Sequence, residues 1–90
     1  MLEKEVLIEI FTKDDCNLCD KAKEVLESVL NDFPAKLKII NIASDPQLVL
    51  LFGQKIPVVR VNGEEWFKYK VKEEVLRKRL NDHLKMGRKL

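Results

Sequence analysis

Between Glu5 and Thr12, apolar residues occupy both faces of an extended run. Val6, Ile8 and Ile10 stand on one face and Leu7 and Phe11 on the other, with Glu9 interrupting the second. Burial on both faces predicts a central strand. From Cys16 to about Asn31 the spacing lengthens to that of a helix: Leu18, Ala22, Val25 and Val29 recur, with Cys19, Leu26 and Leu30 beside them. Pro34 closes that helix, and Lys36–Ile42 reads as a second strand whose Lys36 and Lys38 suit a sheet edge. Strand, helix, strand in this succession predicts two parallel strands joined by a crossover. Asp45 and Pro46 then mark the N-cap and first position of a short helix that stops at Gly53. Ile56–Val61 is a further apolar strand, with Pro57 at its opening, where a strand tolerates proline. Asn62-Gly63 is a strong hairpin signal. After it, Glu65, Phe67, Tyr69 and Val71 alternate with Glu64, Trp66, Lys68 and Lys70, the pattern of an edge strand with one covered face. Lys72 to about Met86 is helical, with Leu76, Leu80 and Leu84 as its stripe. The order β-α-β-α-β-β-α predicts an α/β fold with a four-stranded mixed sheet flanked by helices.

Composition narrows this. Ninety residues, 46% hydrophobic and 36% charged, allow one small globular domain spanning 1–90, without repeats or low-complexity linkers. The net charge of +2 is too small to argue by itself for nucleic acid or a membrane surface as partner. The charge is uneven, however: residues 68–90 hold nine Lys or Arg against three acids. A solvated helix face is the ordinary explanation. Met1–Glu5 has no signal-peptide layout and no apolar run approaches membrane-spanning length, so the expected location is the cytoplasm. Structural disulfides are uncommon there, and a close cysteine pair points to catalysis or metal.

That pair is Cys16-Asn17-Leu18-Cys19, at the junction of the first strand and the first helix. Thiols three residues apart on a helical turn have Cα atoms within disulfide range and can close and reopen with little backbone motion. The free N–H groups and positive dipole end of a helix start favour a thiolate at Cys16. Cys19 falls one turn further in, on the side of Ala22 and Leu26, and should be the more covered sulfur. Cys16 is therefore the expected nucleophile and Cys19 the resolving thiol.

With these residues in place, the chain resembles the thioredoxin fold in its minimal, glutaredoxin-sized form. The stretch Phe11 to Asp20, together with Ser44-Asp45-Pro46 and Ile56-Pro57-Val58, looks like the small bacterial and archaeal glutaredoxin-like proteins. The resemblance covers nearly the whole chain. It implies a cis Ile56–Pro57 bond facing Cys16, with the Ile56 backbone offering strand-like hydrogen bonds to a substrate. It also implies that Lys13 contacts a glutathione carboxylate and favours the thiolate. The departures are equally specific. Glutaredoxins carry Gly-Gly and an acidic residue after the last strand, whereas Phe67 to Glu73 here contains no glycine. Lys55 stands where that family has threonine. The buried aspartate that thioredoxins place before the first cysteine falls at Ile10, and the adjacent Glu9 points to the other face. Asp14 and Asp15 oppose the helix start and Lys13 in stabilising a Cys16 thiolate.

The expected activity is thiol–disulfide oxidoreduction on protein or small-molecule disulfides, by a monomer, with no organic cofactor or metal. The electron donor is a reductase or glutathione, and the departures argue against a glutathione grip. Two alternatives stand beside it: a binding module with idle or metal-sharing cysteines, and a strictly glutathione-dependent glutaredoxin. His83, the single histidine, is far from the thiols in sequence and suits packing better than a metal, which needs a full ligand set. Trp66 shares its strand face with Lys68 and Lys70 and reads as a rim packing residue.

Overall fold

The computed structural model describes residues 6–88, with side chains placed through Leu84. Four strands, β1 (Leu7–Thr12), β2 (Lys36–Asn41), β3 (Val58–Val61) and β4 (Glu64–Lys68), form one sheet in the order β2-β1-β3-β4. β1 pairs parallel with β2 and antiparallel with β3, and β3 pairs antiparallel with β4. The apolar β1 is therefore interior and the lysine-bearing β2 is an edge, as the hydrophobic pattern predicts.

Helices α1 (Asn17–Leu30) and α3 (Glu73–Arg88) cover one face of the sheet, while α2 (Pro46–Phe52) packs at the other. The alternation along β1 sorts the core accordingly. Ile8 and Ile10 join Ala22, Leu26 and Val29 of α1 and Leu76 and Leu80 of α3, all buried. Phe11 instead joins Ile42, Phe52, Ile56 and Val58. Arg77 fastens α3 to the end of α1. Its guanidinium lies 2.6 Å from Asp32 and 2.9 Å from Glu73, and it also reaches Ser28. The Asp32 carboxylate first, and Glu73 second, hold the Arg77 pKa above its ordinary value.

The hairpin turn follows the sequence signal: Asn62 and Gly63 both have positive φ, 51° and 86°, as a tight I′-type connection requires. Asn62 Oδ1 accepts from the Leu7 N–H at 2.8 Å, pinning the turn to the start of β1. Asp45 caps α2 as expected, its Oδ1 accepting from the Gln47 N–H at 2.9 Å. Gly53 ends α2 for a different reason from the left-handed cap that glycine suggests. Its φ is −54°, and a Cβ there would stand 2.5 Å from the Val49 carbonyl oxygen. Close approach requires the glycine.

Several boundaries differ from the sequence pattern. Cys16 is the N-cap of α1, not its first helical residue, and α1 ends at Leu30. A 3-10 turn, Ile42–Ser44, follows β2, where no element was expected. The third strand starts at Val58, not Ile56, because Pro57 has no N–H to give the ladder. The fourth strand stops at Lys68 and does not alternate to Val71. A bulge lets Val59 face Phe67 while Arg60 faces Glu65, so Trp66 and Phe67 are both half-buried against the core. An extra residue in one strand removes strict alternation.

Candidate active site

The end of β1 delivers the chain to the cysteines through Lys13, Asp14 and Asp15. Asp14 is held to the end of β2 by Asn41, whose Nδ2 donates to Asp14 Oδ1 at 3.2 Å. Asp15 takes a left-handed φ of 55°, which aspartate tolerates, and this bend sets Cys16 at the N-cap of α1. A disulfide joins Cys16 and Cys19, with Cα atoms 5.2 Å apart. The Cys19 N–H donates to Cys16 Sγ at 3.1 Å. Cys16 occupies the place where a serine or aspartate cap would normally accept. Cys19 has no solvent exposure, whereas Cys16 is half-buried. The asymmetry expected from helical spacing is present.

The apolar floor beneath the disulfide comes from several elements. Cys19 is packed in one buried cluster with Phe11, Ile42, Phe52, Ile56 and Val58, and Cys16 lies against its edge. The rings of Phe11 and Phe52 are 4.6 Å apart, and the Arg60 guanidinium carbon lies 5.2 Å from each ring centre. The Ile56–Pro57 bond is cis. Pro57 is fully buried, and Ile56 is nearly so. Among the described residues, neither the N–H nor the C=O of Ile56 makes a hydrogen bond.

Of the sequence-derived candidates, Cys16, Cys19, Ile56 and Pro57 are thus brought to one end of the sheet. Lys13 is exposed beside them and makes no ion pair among the described residues. His83 lies elsewhere: its ring meets Asn62 at 3.4 Å and Trp66 edge-on at 6.2 Å, at the hairpin that abuts the start of β1. Trp66 is a rim packing residue, sandwiched further by Arg79 at 4.2 Å. Sequence reasoning missed Tyr69. Its N–H donates to both Lys55 O at 3.2 Å and Pro57 O at 2.8 Å, bracketing Ile56. Tyr69 has a left-handed φ of 68°. A glycine there would have signalled the bend, whereas a tyrosine reads as strand.

A four-stranded mixed sheet with three helices and a disulfide at the first strand–helix junction is a thioredoxin-like fold. Comparison with known proteins gives the family. Residues 7–81 match the Glutaredoxin-like domain (DUF836), and the chain belongs to that family. A protein of Methanocaldococcus jannaschii named thioredoxin is 35% identical over 83 residues, spanning 84% of this chain and 98% of that protein. Among solved structures, a structural-genomics target from X. campestris superposes with a TM-score of 0.70 at 28% identity, covering 83% of this chain and 96% of that one. Thioredoxin 1 from Thermosipho africanus superposes with a TM-score of 0.70 at 16% identity, covering 92% and 99%, and shows likeness of fold.

Proposed function

We propose that this protein is a thiol–disulfide oxidoreductase. In its reduced form the Cys16 thiolate attacks a substrate disulfide, giving a mixed disulfide and releasing one substrate thiol. Cys19 then attacks Cys16 Sγ, the second substrate thiol leaves, and Cys16–Cys19 closes. Two electrons pass from the protein to the substrate, and an external dithiol or thiol pair returns them. The observation that carries this reading is the unequal exposure of two bonded sulfurs at a helix start: one reachable, one sealed. The donated Cys19 N–H and the helix dipole favour the Cys16 thiolate. The name of the Methanocaldococcus jannaschii relative points the same way.

The unbonded backbone edge of Ile56 supports an extended peptide as substrate, since such a chain pairs with a free N–H and C=O as a strand would. Lys13 contributes positive charge on the open side, and the cycle requires neither organic cofactor nor metal. The expected setting is the cytoplasm, acting as a monomer. Mixing the dithiol form with a disulfide-bonded peptide should yield one equivalent of reduced peptide per protein, with Cys16–Cys19 formed in step. Mass spectrometry after alkylation reads both products. Unchanged peptide would refute the reading.

A further inference from the structure

Resting on that reading, we propose that Lys55, Lys68 and Lys70 form a cationic docking edge that selects disulfide peptides with acidic residues beside the cysteine. Tyr69 builds this edge. Its N–H bonds the carbonyls of Lys55 and Pro57, on either side of Ile56. The segment Lys68–Lys70 is thereby clamped to the backbone that offers a free N–H and C=O. The bend is sharp: the Lys70 N–H returns to the Lys68 carbonyl at 2.8 Å, and Tyr69 adopts φ 68°. A non-glycine residue persists in this region only when its surroundings over-determine it. Here two carbonyls do so, and the outcome is a fixed tyrosine, 48% exposed, between two exposed lysines.

Charge then sets the specificity. The Lys68 ammonium lies 5.8 Å from the Tyr69 ring centre, and neither Lys55 nor Lys70 has a carboxylate partner among the described residues. Lys72, also exposed, follows two residues later. The nearby acids do not cancel this edge: Glu73 is taken up by Arg77 and Ser28, which leaves Glu74. Asp14 and Asp15 approach the cysteines from the β2 side, where Asn41 holds Asp14. β2 and β4 are opposite edges of the sheet, so the positive flank and the negative flank lie on opposite sides of the disulfide. An extended chain laid across Ile56 meets uncancelled lysines on the β4 side, whereas on the other side Lys13 is outweighed by Asp14 and Asp15.

The test uses three disulfide-bonded peptides of equal length, with glutamates N-terminal to the cysteine, glutamates C-terminal to it, or lysines on both sides. Turnover of the wild-type chain is driven by dithiothreitol. One glutamate peptide should show a kcat/KM about ten-fold above the lysine peptide at low ionic strength, as three exposed contacts would give. That ratio should fall several-fold at high salt. In a Lys55→Gln, Lys68→Gln, Lys70→Gln variant it should approach one. Equal rates for all three peptides, a preference indifferent to salt, or a preference that survives in the variant overturns the docking edge and leaves the oxidoreductase reading intact. The salt series keeps the test decisive should the variant fail to fold. If glutathione disulfide outcompetes every peptide, the occupant is a small tripeptide and the proposal fails. If no disulfide is reduced, the oxidoreductase reading falls first and takes this one with it.

Discussion

Replacing Cys16 by serine should reduce disulfide turnover to the buffer background, whereas replacing Cys19 by serine should stop the cycle halfway. A serine hydroxyl at the N-cap still accepts the helix N–H, so the variant keeps its cap and its fold. It loses the more exposed of the two cysteines. Cys19 should not take over, because it is fully buried within the cluster of Phe11, Ile42, Phe52 and Ile56. In the Cys19→Ser variant the first attack should proceed, with no neighbouring thiol to displace the substrate. A covalent adduct of one protein and one substrate half should accumulate, seen as a dithiothreitol-sensitive mass increase. Adduct on Cys16→Ser, or full turnover by it, would reverse the assigned roles.

The largest effect on stability is expected at Leu26. It is fully buried between α1, the sheet and α3, in the cluster that holds Ile8, Ile10, Leu76 and Leu80. Truncation to alanine removes apolar contact and leaves a cavity that close-packed neighbours fill only in part, at about 2–5 kcal/mol. For a chain this small, each kcal/mol moves the melting temperature by roughly 4–8 °C. A drop on the order of 10–30 °C in a circular-dichroism melt is expected. Leu50→Ala is the internal control: Leu50 is 86% exposed on α2, and its loss should change stability by no more than about 0.5 kcal/mol. Similar melting temperatures for the two variants would mean that α1 does not pack as described.

These cases mark how far the sequence speaks. Helical spacing in α1 identified the buried row that holds Cys19, Ala22 and Leu26, and two-sided apolarity in β1 identified the interior strand. Asn62-Gly63 and Asp45-Pro46 gave their turn and cap because each rests on local backbone chemistry. Where local preference and tertiary packing diverge, the reading stops. The run Leu48-Val49-Leu50-Leu51 is apolar throughout, yet Leu48 and Phe52 face the core and the three residues after Leu48 are exposed. The bulge at Trp66 depends on cross-strand register, which no single strand encodes. Tyr69 carries no mark of its left-handed backbone, because the constraint comes from carbonyls more than ten residues earlier in the chain.

The candidate site divides the same way. The Cys16–Cys19 pairing is legible from C-x-x-C spacing at a strand–helix junction, while the cis Ile56–Pro57 bond is implied only by resemblance and is present in the structure. Lys13 lies near the thiols, and among the described residues it has no ion partner to give its charge a fixed direction.

The most direct test of the account is a redox titration of the Cys16–Cys19 pair in glutathione buffers, quenched by alkylation and read by mass. The account predicts a single reversible two-electron transition within the range of exchangeable dithiol proteins, about −120 to −300 mV. A disulfide that stays closed at every glutathione ratio, or a reduced form that takes up metal and shows no reversible transition, would contradict it.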